Sequence, residues 1–341
     1  MSVVPTDPVA EGARFYADEL RDLGQSEVLA ELRDTTVVLI GASGLLGTAA
    51  LHALTHIQKC RAIGVSRREW TPPEHVRHVA GSATDPLTYS QLPAADYVVY
   101  IAGNTSDAGA RPWETVDVTL NGLALALAYA ERSNCRGLVF ISSTRVYGTH
   151  QDRTALTEDS PAQCEVMSVA NIYDCSKRLA ESLLYVAHQR QGLPTCVIRL
   201  ANTYGPFSSN PAGHFVGDIV KTLATTHKID LRGHPDSIRN YCFVTDAAKG
   251  LLFALARGRR GTAYNIGSDE HRSNFDFIRQ LADLLPFDAQ VNVPPAALLA
   301  PRSEARVSID KARRELAYTP RGTLARCLPF VVDWTVRALG T

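Results

Sequence analysis

Residues 35–40, TTVVLI, form a short unbroken apolar run, the pattern of a strand buried on both faces. From there the chain alternates. RAIGVS (61–66), a short segment within HVRHVAGSATD (75–85), ADYVVYIAG (95–103) and GLVFISST (137–144) read as further strands, and PTCVIRLANTYGP (194–206) as a sixth strand with its exit loop. Between them LLGTAALHALTHI (45–57), VTLNGLALALAYAERS (118–133) and IYDCSKRLAESLLYVAHQRQG (172–192) carry helical spacing, the last stopped by Gly192 and Pro194. Strands alternating with helices predict an α/β fold with a doubly wound parallel sheet covered on both faces. Residues 12–33 are amphipathic and predict one or two helices ahead of the first strand, wrapping over the core.

After Pro206 the rhythm breaks. Gly, Pro, Ser and His are frequent over 206–240 and the elements shorten. GTAYNIGS (261–268) reads as one more strand, and 275–285 and 309–340 as helical. This half is expected to be a smaller C-terminal α/β lobe. Internal repeats and low-complexity tracts are absent from the sequence.

Composition narrows the function classes. The chain has 341 residues, 35 basic and 35 acidic, so its formal net charge is zero. That balance speaks against nucleic acid or an acidic membrane surface as a partner. No apolar run approaches 18 residues, and the N-terminus lacks the basic-then-apolar pattern of a signal peptide. The seven cysteines, Cys60, Cys135, Cys164, Cys175, Cys196, Cys242 and Cys327, are odd in number and show no CxxC pair. A disulfide framework and a metal site are therefore not expected, and a reducing, cytoplasmic compartment is.

The segment Val37 to Gly47, VVLIGASGLLG, is strand, then GxxGxxG, then helix. In that setting the first glycine permits a tight turn, the second lets backbone approach a pyrophosphate and the third lets helix and strand pack closely. Free N–H groups at the helix start favour the anion. Gly41, Ser43, Gly44, Leu45, Leu46 and Gly47 are thus candidate dinucleotide contacts in a Rossmann domain. The end of the second strand, where the adenosine ribose rests in such folds, reads Ser66-Arg67-Arg68 with no acid. Arginine there suits the 2′-phosphate of NADP rather than the free hydroxyl of NAD. Asp85 is placed either to bond the adenine or to cap the helix that Pro86 starts. The resulting division is an N-terminal helical extension (1–34), a dinucleotide-binding domain (35–205) and a substrate-binding lobe (206–341), with about 240–268 returning to the core.

Tyr173 and Lys177 stand four apart on the helix after the fifth strand, hence on one face. That strand ends in Ser142-Ser143-Thr144, at the sheet edge where open α/β sheets bind ligands. A phenol is a poor base at neutral pH, and a neighbouring ammonium favours its ionised form. A serine hydroxyl can orient the oxygen that gains or loses the proton.

With GASGLLG, YIAG, FISSTRVYG, YDCSK and RLANTYGP together, the chain resembles the extended short-chain dehydrogenase/reductases, in the NAD-dependent epimerase/dehydratase branch acting on nucleotide sugars. The resemblance spans about 35–335. It implies that Ser143, Tyr173 and Lys177 are catalytic, that Ala102 and Gly103 of YIAG join the cofactor contacts, and that Thr144, Asn202 and Arg239 meet a nucleotide-diphosphate sugar. It also implies NAD as cofactor, where Arg67 and Arg68 favour NADP, and a homodimer built on the Tyr–Lys helix. The chain departs from the pattern in one telling place: dehydratases of the branch carry Asp-Glu after the catalytic hydroxyl residue, and here those positions are Thr144 and Arg145. The expected function is an NAD(P)-dependent epimerase inverting C4 through a transient ketosugar. The alternatives are an NADPH-dependent ketosugar reductase and, from another class, a dinucleotide-binding sensor without catalysis.

Overall fold

The computed structural model describes residues 7–103, 110–211 and 213–340. Its strands begin with β1 (Thr36–Ile40), β2 (Arg61–Ser66), β3 (Arg77–Ala80), β4 (Tyr97–Tyr100), β5 (Gly137–Ser143) and β6 (Thr195–Leu200). They continue with β7 (Asn202–Tyr204), β8 (Lys228–Asp230), β9 (Ile238–Phe243), β10 (Thr262–Ile266), β11 (His271–Ser273) and β12 (Gln290–Asn292). Seven of these form one sheet in the order β10-β6-β5-β4-β1-β2-β3, parallel throughout. This is the Rossmann-like doubly wound architecture. The order reverses beside β1, which opens a crevice at the carboxyl ends of β1 and β4.

The apolar run explains β1 directly. Val37 and Leu39 enter one core cluster and Val38 and Ile40 the other, all with no exposure, because alternate residues face opposite sides. The first cluster lies under α1 (Pro8–Gly24) and α2 (Leu45–Thr55). The second lies under α3 (Pro86–Ser90) and a helix running from α4 (Pro112–Val116) into α5 (Gly122–Arg132). It also lies under α6 (Ile172–Gln191), which Gly192 ends in the left-handed conformation at φ 71°.

Two helices differ from the sequence expectation. The helix expected over 118–133 starts at Pro112 and contains a π turn at Asp117–Asn121, with the Tyr100 hydroxyl donating to the Val118 carbonyl. The first helix starts at Pro8 because Asp7 caps it, its side chain accepting from the Val9 N–H at 3.0 Å. This segment packs on the core: Glu19, 4% exposed, sits 3.2 Å from Lys249 and 2.7 Å from Arg321.

Beyond β6 the remaining helices are α7 (Phe215–Thr226), α8 (Val244–Arg257), α9 (Asn274–Asp283), α10 (Pro295–Leu299), α11 (Asp310–Leu316) and α12 (Leu324–Leu339). α8 packs against α2, and α12 against α1. The chain returns to the large sheet at β10, where Thr262 lies opposite Cys196 of β6. β7, β9 and β11 form a second small sheet, with Asn202 opposite Tyr241 and Arg239 opposite Arg272. Asn202 and Arg239 therefore lie on adjacent strands.

Candidate active site

The glycine turn is shaped by contacts rather than by flexibility. Gly41 has φ +98°, and a Cβ there would stand 2.6 Å from the Ala102 nitrogen. At Gly47 a Cβ would meet the Ala42 carbonyl at 2.5 Å. Gly44 is different: among the described residues its Cβ would meet only the Gly41 oxygen, at 3.6 Å, which leaves the space above it open. Gly44 is also the N-cap of α2, and no side chain caps that helix. An open face over uncapped N–H groups of Leu45 and Leu46 fits a pyrophosphate. Ser43 completes the turn, its carbonyl accepting from the Ser209 N–H at 3.4 Å.

At the end of β4 the Ala102 N–H donates to the Ile40 carbonyl at 2.9 Å. A Cβ on Gly103 would lie 3.7 Å from the Lys177 Nζ, so this glycine faces the lysine. At the end of β2 the buried Ser66 hydroxyl donates to the Arg68 carbonyl at 2.9 Å and lies 2.9 Å from His78 Nε2. Arg67 pairs with Glu114 at 3.1 Å, and Glu114 also reaches Arg111 at 3.4 Å. Of the two roles open to Asp85, the structure shows the cap, with its carboxylate accepting from the Leu87 N–H at 3.0 Å.

The three chemical residues meet where β5 ends against α6. Ser143 is the last residue of β5, and its hydroxyl lies near enough to the Tyr173 phenol to favour the ionised form. Tyr173 is 6% exposed and Lys177 2%. Burial pushes the phenol up to about 12, opposed by the charge of Arg145 and by the Ser143 hydroxyl, with the Asp174 carboxylate adding a smaller push upward. Lys177 Nζ donates to the Ile141 carbonyl at 2.8 Å and lies 4.4 Å from the centre of the Phe140 ring and 5.8 Å from that of Tyr173. Burial lowers the Lys177 pKa to about 7, with Glu181 opposing the shift. The helix is tied to the sheet one turn further on. There Glu181 takes a hydrogen bond from Ser142 and a two-nitrogen contact from Arg199, at 3.1 and 2.8 Å.

On the substrate side, Thr144 opens a short 3₁₀ turn, Thr144–Tyr147, directly after Ser143. Arg145 in that turn reaches back to α6 and pairs with Asp174, Nε to Oδ1 at 2.8 Å. Among the described residues Arg239 has no acidic partner; its Nη1 donates to the Ile238 carbonyl at 3.0 Å. Burial holds its pKa below the usual arginine value, with Tyr241 opposing the shift and the positive charge of Arg145 adding to it. A mostly buried guanidinium without a carboxylate suits an anionic ligand.

Residues 37–267 match the family model described as the NAD dependent epimerase/dehydratase family. The chain belongs to that family. UDP-glucuronic acid decarboxylase 6 of Arabidopsis thaliana is 22% identical over 87% of this chain and 88% of its own. The dTDP-glucose 4,6-dehydratase of Streptomyces venezuelae, solved with NAD and TYD bound, superposes with a TM-score of 0.78 at 21% identity, covering 89% of this chain and 98% of that one. The UDP-glucose 4-epimerase of Thermotoga maritima, solved with UDP-glucose, gives a TM-score of 0.76 at 18% identity over 89% and 99%. The fold is thus that of the extended short-chain dehydrogenase/reductases, as the motifs implied, and the protein is an enzyme of that family.

Sequence reading left three residues of this neighbourhood without a role: Asp174, Glu181 and Glu114. Asp174 adjoins Tyr173 in YDCSK, and that adjacency was the only local signal. Arg145 was read only as a departure from the dehydratase pattern. Among the described residues no helix is long and apolar enough to cross a membrane.

Proposed function

We propose that the protein is an NAD(P)-dependent nucleotide-sugar epimerase that inverts C4 through a ketosugar. One observation carries this reading. The base, its hydroxyl partner and the lysine are assembled, while the two positions that follow Ser143 hold Thr144 and Arg145. Loss of water across two carbons needs a further acid and base, and an arginine supplies neither. Inversion needs only the triad and room for the sugar to turn.

The cofactor's nicotinamide supplies the hydride acceptor and donor; the glycine turn, Ala102, Gly103 and Lys177 are the residues that would hold it. Tyr173 Oη takes the proton of the C4 hydroxyl and later returns it. Ser143 orients the same oxygen. Arg239 and Asn202, on the adjacent strands β9 and β7, hold the diphosphate end of the sugar nucleotide. The NADPH-dependent reductase remains the second reading because Arg68, with no acidic partner among the described residues, is available to a 2′-phosphate, whereas Arg67 is engaged by Glu114.

The working unit is proposed to be a pair of identical chains. On α6, Leu179, Leu183 and Val186 are 50, 38 and 53% exposed at helical spacing, an apolar stripe suited to the same stripe of a second copy.

The test is to purify the protein, identify the nucleotide that accompanies it and incubate it with UDP- and dTDP-hexoses. Interconversion of C4 epimers without added reductant is the expected result. Stoichiometric consumption of NADPH, or release of a 4-keto-6-deoxy sugar, defeats the epimerase reading.

A further inference from the structure

Tyr173 is gripped from two sides, and only one grip is the familiar lysine. Arg145 comes from the turn after β5, its own N–H donating to the Ser143 hydroxyl at 3.2 Å. Its guanidinium makes a two-point contact with Asp174, Nε–Oδ1 at 2.8 Å and Nη2–Oδ2 at 3.3 Å. Asp174 directly follows Tyr173 on α6, and its side chain is 8% exposed. The pair therefore ties the end of the strand to the start of the helix across the base. In that position the Arg145 Cζ lies 5.3 Å from the Tyr173 ring centre, nearer than the Lys177 Nζ at 5.8 Å.

The two cations differ in kind. Lys177 is enclosed, directed to a backbone carbonyl, and drawn by burial toward neutrality at about pH 7. A guanidinium keeps its charge at any pH the fold survives, and its planar fork is held by the carboxylate in one orientation. Of the other charged groups, Glu181 is bound to Arg199 and Glu114 of α4 to Arg67 and Arg111, whereas Arg239 of β9 is a further cation with no acid attached among the described residues.

We propose that Arg145, fixed by Asp174, is a positioning residue for the proton-transfer step: it holds Tyr173 in place and provides the permanent positive charge against which its phenolate forms. The proposal deepens the epimerase reading, since it takes Tyr173 as the group that receives the sugar proton. It also gives the arginine a use at a site where dehydratases need an acid.

The experiment reads Tyr173 without any sugar present, so that it stands apart from the identity of the substrate. The protein is produced with a fluorinated tyrosine, whose phenol is more acidic. The ¹⁹F resonance missing from Tyr173→Phe identifies the residue, and its titration midpoint is followed with pH. Arg145→Gln should raise the midpoint by about one unit or more, the scale of an opposite charge at close range. Arg145→Lys should recover at least half of that shift. An unmoved midpoint in a folded Arg145→Gln protein, or a lysine variant no better than glutamine, overturns the proposal. Once a substrate is in hand, the acid limb of the kcat/KM profile should move with the ¹⁹F midpoint. A moved midpoint together with a fully active Tyr173→Phe enzyme upholds the electrostatic coupling and fails only the assignment of Tyr173 as the base.

Discussion

Two arginine–carboxylate pairs stand at opposite ends of the cofactor crevice and look alike on distance alone. Arg145 meets Asp174 at 2.8 Å, and Arg67 meets Glu114 at 3.1 Å. They differ in their acids. Asp174 is 8% exposed and anchored beside Tyr173, whereas Glu114 is 31% exposed and shared with a second arginine. A carboxylate taken out of water cannot lose its partner cheaply, while a pair in water can exchange partners at little cost. The first is therefore a fixture of the site. The second is a contact that costs little to break.

The strongest test of that contrast lies at the residue Arg145 covers. Tyr173→Phe should leave the fold and nucleotide binding intact and reduce kcat by about 10²–10⁴, the usual contribution of a general base. A rate within a few-fold of wild type would show that the fixed pair guards nothing chemical.

Next come the two acids. Arg145→Ala strands the buried Asp174 carboxylate and should cost about 1–3 kcal/mol of stability in denaturant melts. Arg67→Ala leaves Glu114 partly in water and beside Arg111, and should cost less than about 1 kcal/mol. Equal losses would erase the distinction between them.

Lys177 gives a pH signature. Its ordinary value of 10.5 falls to about 7 in the folded chain. A depressed folded pKa contributes stability above the unfolded value, and that stability is lost as pH falls toward the folded one. In cofactor-free protein, Lys177→Met should therefore gain on wild type as pH drops from about 10 to about 7, read as the difference in Tm. A constant difference would mean that the lysine keeps its proton in the fold.

The smallest effect belongs to Arg67. Arg67→Ala should leave NAD affinity unchanged within about 1 kcal/mol, the scale of a surface pair. A selective loss of NADP affinity by calorimetry would show that the arginine leaves Glu114 for a 2′-phosphate and would favour the reductase reading.

Much of the site was legible because its signals are local. The four-residue step from Tyr173 to Lys177 puts both on one helix face, and Ser143 closes a strand whose apolar run is unmistakable. The glycine turn is likewise contained in eleven residues, Val37 to Gly47. What escaped depends on distant pairing. Arg145 and Asp174 are 29 residues apart in sequence and Arg67 and Glu114 47 apart, and nothing in either segment names the other. The short strands β7, β9 and β11 escaped for the same reason. Their three- to six-residue patterns are too brief to show a period, and only their mutual pairing makes them a sheet.

The edge strand β10 has a consequence for how the molecule is made. Six of the seven sheet strands lie before residue 201, but the seventh comes from residues 262–266. On the ribosome, at about 5–20 residues per second, β6 waits several seconds as an open edge with unpaired backbone groups. The first helix waits longer still, since α1 packs on α12, which follows β10 in the chain. Residues 324–339 must therefore be made before α1 finds the helix it packs on.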